Sequence, residues 1–149
     1  KTFNSNSKLK VNFFSKFVDY PVISDDSGLC IKALNNKPGI FSARLAKKHG
    51  SFFKAMRVIL KKMRNKKDRT ATFICSLSYN DKKGKIITVE GRLKGKISDK
   101  ILGKKGFGYD PIFIPLGKKI TFGQMAKFKK ITMDHRYLAF KKLKTKIKI

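Results

Sequence analysis

Residues 22–29 read VISDDSGL and set two adjacent carboxylates, Asp25 and Asp26, behind an apolar run and ahead of a hydroxyl and a glycine. Acid is scarce here, with nine Asp and Glu against 37 Lys and Arg, so the doublet stands out from the composition. Magnesium takes one or two carboxylates together with phosphate oxygens and water, which suits Asp25 and Asp26 as metal ligands. A carboxylate beside such a metal can also accept a proton from an attacking water. The same four residues make an ordinary turn, where Asp and Ser bond nearby backbone N–H groups. Taken alone, the doublet reads as that turn.

Two further clusters could do chemistry. Gly106-Phe107-Gly108-Tyr109-Asp110-Pro111 flanks an aromatic with glycines, which lets backbone approach a ligand closely. Phe107 or Tyr109 could then stack on a flat base, a contact worth roughly 1–3 kcal/mol in single-strand binders. A tight turn with core aromatics would use the same residues. Farther on, Lys130 precedes Asp134-His135-Arg136. Asp134 is a good helix N-cap and places His135 and Arg136 in the first turn, where cations oppose the helix dipole by roughly 0.3–1 kcal/mol. An anionic or carbonyl-bearing ligand at the free N–H groups would offset that cost. A solvated surface His and Arg would look the same.

The elements that must carry these residues follow from periodicity. Residues 6–18 place Leu9, Phe13, Phe14 and Phe17 at i, i+4, i+5 and i+8, the apolar face of a helix. Pro21 ends it, and a strand runs from Val22-Ile23 into the Asp doublet. In open α/β sheets ligands bind at the carboxyl edge of the strands, where this reading puts both carboxylates. A second short strand over 29–31 closes in the turn NNKPG at 35–39. Helices are predicted over 41–46 and 52–63, the latter with Phe52, Phe53, Met56, Ile59, Leu60 and Met63 on one face. Residues 70–79 and 85–92 form a hairpin around NDKKG. Residues 106–115 join Gly turns to a short buried strand, Thr121 and Gln124 fit a capping box, and a last helix starts at Asp134. No repeat or linker interrupts the chain, so residues 1–149 read as one α/β domain.

Composition bounds the reading. A chain of 149 residues with 41% hydrophobic content is the size of one domain and can bury a core. It opens KTFNSNSKLK without an initiator Met, which suggests that something upstream is missing. No apolar run approaches the roughly 18 residues of a membrane span, and no signal-peptide pattern appears. Cys30 and Cys75 are isolated, so disulfide and zinc frameworks are not expected and a reducing cytoplasm is the expected location. The formal charge of +28 invites nucleic acid. Lysine outnumbers arginine 31 to 6, however, whereas base readout favours the guanidinium fork. The lysines are spread along the chain beside abundant Ile, Asn and Phe, as an AT-biased genome would encode on a tolerant surface. Nucleic acid is therefore not the expected partner.

Taken in order, SDDSGLCIKALNNKPGIFSAR, GFGYDPIFIP and a lysine followed by DHRYLAF resemble the inosine triphosphate pyrophosphatase family, the non-canonical purine NTP pyrophosphatases. The opening Thr-Phe, Asn and Lys (TFxxN and a following K), PGIFSAR, GRLKGKIS, TFGQM and the His-Arg pair fall at family-like positions, and the resemblance covers nearly the whole chain. It implies an elongated α/β fold, a mixed sheet with flanking helices in two lobes around a nucleotide cleft, usually as a homodimer. It implies hydrolysis of ITP, dITP and XTP to the monophosphate and pyrophosphate with Mg²⁺. Carried over by residue, Asp26 is the general base and metal ligand and Ser27 a substrate contact. Phe107, Gly108, Tyr109 and Asp110 form the base-binding loop, while Lys130, His135 and Arg136 hold the nucleotide and read its 6-keto oxygen. Chemistry agrees: donors aimed at O6 are needed, Arg or a protonated His supplies only donors, and an adenine amino group would leave them unpaired.

The departures carry expectations too. The family opens with a strand and a TxNxxK loop that grips the triphosphate, and the chain begins after both, so the first strand is expected to be missing. Where the family has TFxENAxxKA, this chain reads TFNSNSKLKV, so Ser5 stands in for a Glu tied to the metal site. Asp134 replaces the usual Ser before His-Arg, and either caps a helix. The rival reading is a non-catalytic basic protein that keeps the cleft and binds nucleotide or nucleic acid.

Overall fold

The computed structural model describes residues 1–147. Five strands form one sheet: β1 (Val22–Ile31), β2 (Lys37–Pro38), β3 (Thr70–Asn80), β4 (Ile86–Ile97) and β5 (Phe113–Pro115). Their order is β2-β1-β3-β4-β5, and each neighbouring pair is antiparallel. The helices are α1 (Phe3–Phe14), α2 (Ser42–His49), α3 (Phe52–Met63), α4 (Lys127–Ile131) and α5 (His135–Ile147). The expected α/β architecture, a sheet with flanking helices, is present. Among the described residues, however, the sheet is antiparallel throughout and not mixed, because each strand is joined to a neighbour running the other way. No helix among the described residues is long and apolar enough to cross a membrane.

The acidic doublet neither ends a strand nor makes a turn. β1 runs unbroken for 10 residues and pairs along its whole length with β3, Asp25 opposite Leu77 and Asp26 opposite Ser76. A complete ladder to β3 satisfies the backbone that a turn would otherwise have bonded to Asp and Ser side chains. On the other side β2 covers only Cys30 and Ile31, so the stretch holding Asp25, Asp26 and Ser27 is a free sheet edge among the described residues. Gly28 continues this strand where the chain around Gly39–Ser42 crosses it. A Cβ there would overlap the Gly39 carbonyl oxygen. Ser42 locks the crossing, its Oγ donating to Gly39 O at 2.7 Å and accepting from Leu29 N at 2.9 Å.

Alternation of side chains gives the two faces of the sheet different helices. Ser76 and Ser78 face α1, where Ser7 Oγ lies 2.8 Å from each of their hydroxyls. Cys75, Leu77 and Val89 face α5, packed on Ala139 and Leu143. The serine floor explains why α1 turns a different side inward than its phenylalanines predict. Phe3, Ser7 and Val11 are buried, whereas Leu9, Phe13, Phe14 and Phe17 are each more than half exposed. Shape and hydrogen bonding at a small polar floor select Ser7 over the Phe stripe.

α3 spans the predicted 52–63, capped by Ser51 Oγ accepting from Lys54 N. The hairpin is also present, its turn held by Asp81 Oδ1 accepting from Lys83 N and Lys85 N, and β4 extends beyond the predicted Arg92 to Ile97. At Thr121 the box is only partial. Gln124 Oε1 accepts from Thr121 N, but Thr121 Oγ1 donates to Leu102 O, and helix begins only at Lys127. The N–H groups of Phe122 and Gly123 donate to Phe113 O and Asp110 O, which ties this stretch to β5 instead. Phe73, Phe113 and Phe122 meet in the core that results. Both cysteines are free, and burial raises both thiols, Cys75 to about 11.

Candidate active site

A cavity of about 230 Å³ opens at the free edge of β1 and brings the predicted residues together. Asp25, Asp26, Ser27, Phe107, Gly108, Tyr109, Asp110, Lys130, His135 and Arg136 all line it. Residues from β1, the 106–111 loop, α4 and the first turn of α5 thus converge from 111 positions apart in the chain, as the Asp25–Arg136 contact shows. A larger cleft of about 520 Å³ beside α3 holds one carboxylate, Asp99, paired with Arg69. It lacks the acidic doublet and the aromatic rings that the first cavity combines.

Asp25 and Asp26 leave the strand on opposite faces, and the open edge lets both reach the cavity. Asp25 Oδ2 accepts from Ser27 Oγ at 3.0 Å and lies 3.4 Å from Arg136 Nε. Asp26 faces α1: Asn6 Nδ2 donates to its Oδ2 at 3.0 Å and Lys10 Nζ to its Oδ1 at 2.8 Å. Lys10 also donates to the edge carbonyl of Asp25 at 2.7 Å. Asn6 and Lys10 match the N and K of the TFxENAxxKA pattern that the opening residues resemble, but sequence reasoning assigned neither of them a role. Their spacing of four places them on one helical face, a signal that points to no ligand until the facing strand is known. Ser5 spends its hydroxyl locally, accepting from Thr2 N while Thr2 Oγ1 accepts from Ser5 N, the capping box of α1.

The aromatic loop turns at Gly106 and Gly108, with φ of +81° and +64°. Asp110 closes it, its Oδ2 accepting from Phe107 N and from Lys130 Nζ, both at 2.6 Å. Burial pushes the Asp110 carboxyl up, and the Lys130 ammonium and the Phe107 N–H act against that rise. Lys130 also lies over the Phe122 ring, 5.4 Å from its centroid. Tyr109 is buried, its hydroxyl donating to Ser42 O at 2.7 Å, and burial raises its pKa to about 12. Phe107 is 67% exposed and meets Phe52 edge-on, so of the two aromatics it alone offers a free ring face.

Asp134 caps α5 as its type predicts, Oδ1 accepting from Tyr137 N at 2.8 Å. His135 stacks on Phe73, centroids 4.7 Å apart and planes 11° from parallel, and its Nδ1 is buried without a partner. Burial, then the positive charges of Arg136 and Lys130, lowers its pKa from 6.5 to about 3. The imidazole is therefore neutral at physiological pH, not the protonated donor considered above. Neutral His135 also removes half of the expected conflict with the helix dipole.

As a metal site the cleft offers oxygen donors of the right kind. Asp26 with water and substrate phosphate oxygens is a donor set that Mg²⁺ accepts, and Asp25 adds a second carboxylate nearby. Among the described residues no three His, Cys, Asp or Glu side chains gather, so no all-protein cage is formed.

Comparison with known proteins finds relatives that match nearly the whole chain. The family model described as "Ham1 family" matches residues 1–146. The dITP/XTP pyrophosphatase of Clostridium perfringens is 40% identical, over 99% of this chain and 76% of its own length. That of Borrelia duttonii is 44% identical, over 97% of this chain and 76% of its own. The solved Ham1 protein of Staphylococcus aureus superposes with a TM-score of 0.92 at 36% identity, covering 99% of this chain and 77% of that one. A HAM1 protein from Coxiella burnetii gives 0.90 at 32% identity, with 99% and 77% covered. With residues 1–146 matched by the family model and its fold shared, the chain belongs to the Ham1 family.

Proposed function

We propose that the chain hydrolyses non-canonical purine nucleoside triphosphates, dITP, ITP and XTP, to the monophosphate and pyrophosphate. The observation that carries this reading is the convergence, in one cavity, of Asp26, the open ring of Phe107 and the guanidinium of Arg136. The names of the relatives, dITP/XTP pyrophosphatases, support the substrate class.

In this reading Phe107 stacks on the purine, held at its edge by Phe52, while Asp110 and Lys130 fix the loop from below. Tyr109 anchors that loop through Ser42, and Gly108 gives the base room. Arg136 presents donors only, to the O6 of a keto purine, and neutral His135 adds one N–H. An adenine amino group would leave these donors unpaired, which is the strong form of rejection. Asp26, oriented by Asn6, accepts the proton of the attacking water on a carboxylate oxygen, each of which keeps a further lone pair. Ser27 contacts the substrate beside it. Asp26, with Asp25 near it, would hold Mg²⁺, which when bound would supply positive charge to the phosphate oxygens. The enzyme works as a homodimer in the cytoplasm, where the nucleotide pool lies.

The test is pyrophosphate release from dITP, ITP and XTP against ATP and GTP, with Asp26→Asn beside the parent chain. dITP, ITP and XTP should turn over far faster than ATP, whose 6-amino group leaves the donors unpaired, and Asp26→Asn should lose about 10²–10⁴-fold in rate. Equal turnover of all five, or full activity in Asp26→Asn, would contradict the assignment.

A further inference from the structure

Three carboxylates line the cleft, and each already holds a cation. Lys10 lies 2.8 Å from Asp26, Lys130 lies 2.6 Å from Asp110, and Arg136 lies 3.4 Å from Asp25. Among the described residues, three charges of each sign leave the lining of the cleft formally neutral in a chain of formal charge +28. A bare divalent ion entering it meets no excess of negative charge. At Asp26 the opposition is direct, because the Lys10 ammonium sits on Oδ1 while Asn6 occupies Oδ2. An ammonium and a doubly charged ion on the same carboxylate repel each other strongly at such separations. The Lys10 side chain is 44% exposed, so it can swing away from Asp26 into water at little cost.

Resting on the proposed function, we infer that Lys10 is the resident counter-ion of Asp26 and that the site takes its metal only as a metal–triphosphate complex. The polyphosphate brings the negative charge that the free cleft lacks. Lys10 thereby sets the order of binding, a positioning role that the motif of the acidic doublet does not disclose.

The experiment titrates Mn²⁺ alone into the full chain, without nucleotide, and reads bound ion from loss of the free-ion electron paramagnetic resonance signal. Lys10→Met should bind Mn²⁺ about tenfold more tightly than the parent, the loss of one nearby charge repulsion. Lys10→Arg, which keeps the charge, should bind like the parent, and Lys10→Met combined with Asp26→Asn should lose the gain. Equal Mn²⁺ affinity in the parent and Lys10→Met overturns the inference, as does a gain that survives Asp26→Asn. Circular dichroism checks folding, and should the Met variant not fold, Lys10→Gln is judged by the same criterion. No turnover enters this readout. Failure to hydrolyse dITP would sink the proposed function without altering the Mn²⁺ result, and the reverse also holds.

Discussion

His135 shows how a side chain's environment fixes what it can do. Its residue type suggests a proton switch near neutrality, yet burial against Phe73 and two neighbouring cations bring its pKa to about 3. The sign of the consequence is definite. In the unfolded chain the imidazole takes up a proton below about 6.5, while in the folded chain it stays neutral down to about 3. The stability that depends on neutral His135 is therefore whole above pH 6.5 and falls as pH drops through that window. The slope approaches about 1.4 kcal/mol per pH unit. Urea unfolding between pH 7 and pH 4 should show it, and His135→Gln should flatten it; an unchanged slope in that variant would show that other groups cause it. Asp26 presents the opposite case. Its type and neighbours were legible, and Asn6 and Lys10 match the opening motif, but their pairing with Asp26 was not legible, because an i, i+4 pair on a helix gains meaning only from the strand it faces.

Elements place these side chains through close backbone contacts. α5 crosses β4 at Gly91, where a Cβ would overlap His135 O and Ala139 N. Gly91→Ala should push the first turn of α5 off the sheet and carry His135 and Arg136 with it. Overpacking of this kind costs about 1–3 kcal/mol, and KM for dITP should rise along with the loss of stability. Thermal melting and steady-state kinetics check both, and a variant with unchanged melting and KM would show that the helix does not set the purine contacts. The sequence disclosed α3, the hairpin and the Asp134 cap because a period or a cap residue specifies each locally. It misplaced the doublet at a strand end, because turn chemistry and a mid-strand edge share the residues Asp, Ser and Gly, and only β3 decides between them. It turned α1 the wrong way for the same reason. The face that α1 buries was chosen by Ser76 and Ser78, some seventy positions along the chain.

Across the whole molecule, charge and topology agree on where chemistry belongs. β1 is laddered to β3 throughout, but among the described residues its other side is paired only at Cys30 and Ile31, and the cavity opens where that free side carries Asp25, Asp26 and Ser27. The surface is overwhelmingly basic, yet the cleft holds three of the nine acids, each matched by a cation. Such a cleft suits a polyphosphate that arrives with its own metal and exchanges partners with ion pairs already in place. The motifs located the cleft because its residues are short runs of distinctive type. Its neutrality was hidden, since pairing of Lys10, Lys130 and Arg136 with particular carboxylates is a property of the fold. The most direct measurement follows dITP cleavage in water carrying heavy oxygen and identifies the products by mass spectrometry. The account predicts dIMP and intact pyrophosphate, with the heavy oxygen on dIMP and the reaction lost in Asp26→Asn. Release of orthophosphate with dIDP, or unimpaired cleavage in Asp26→Asn, would contradict it.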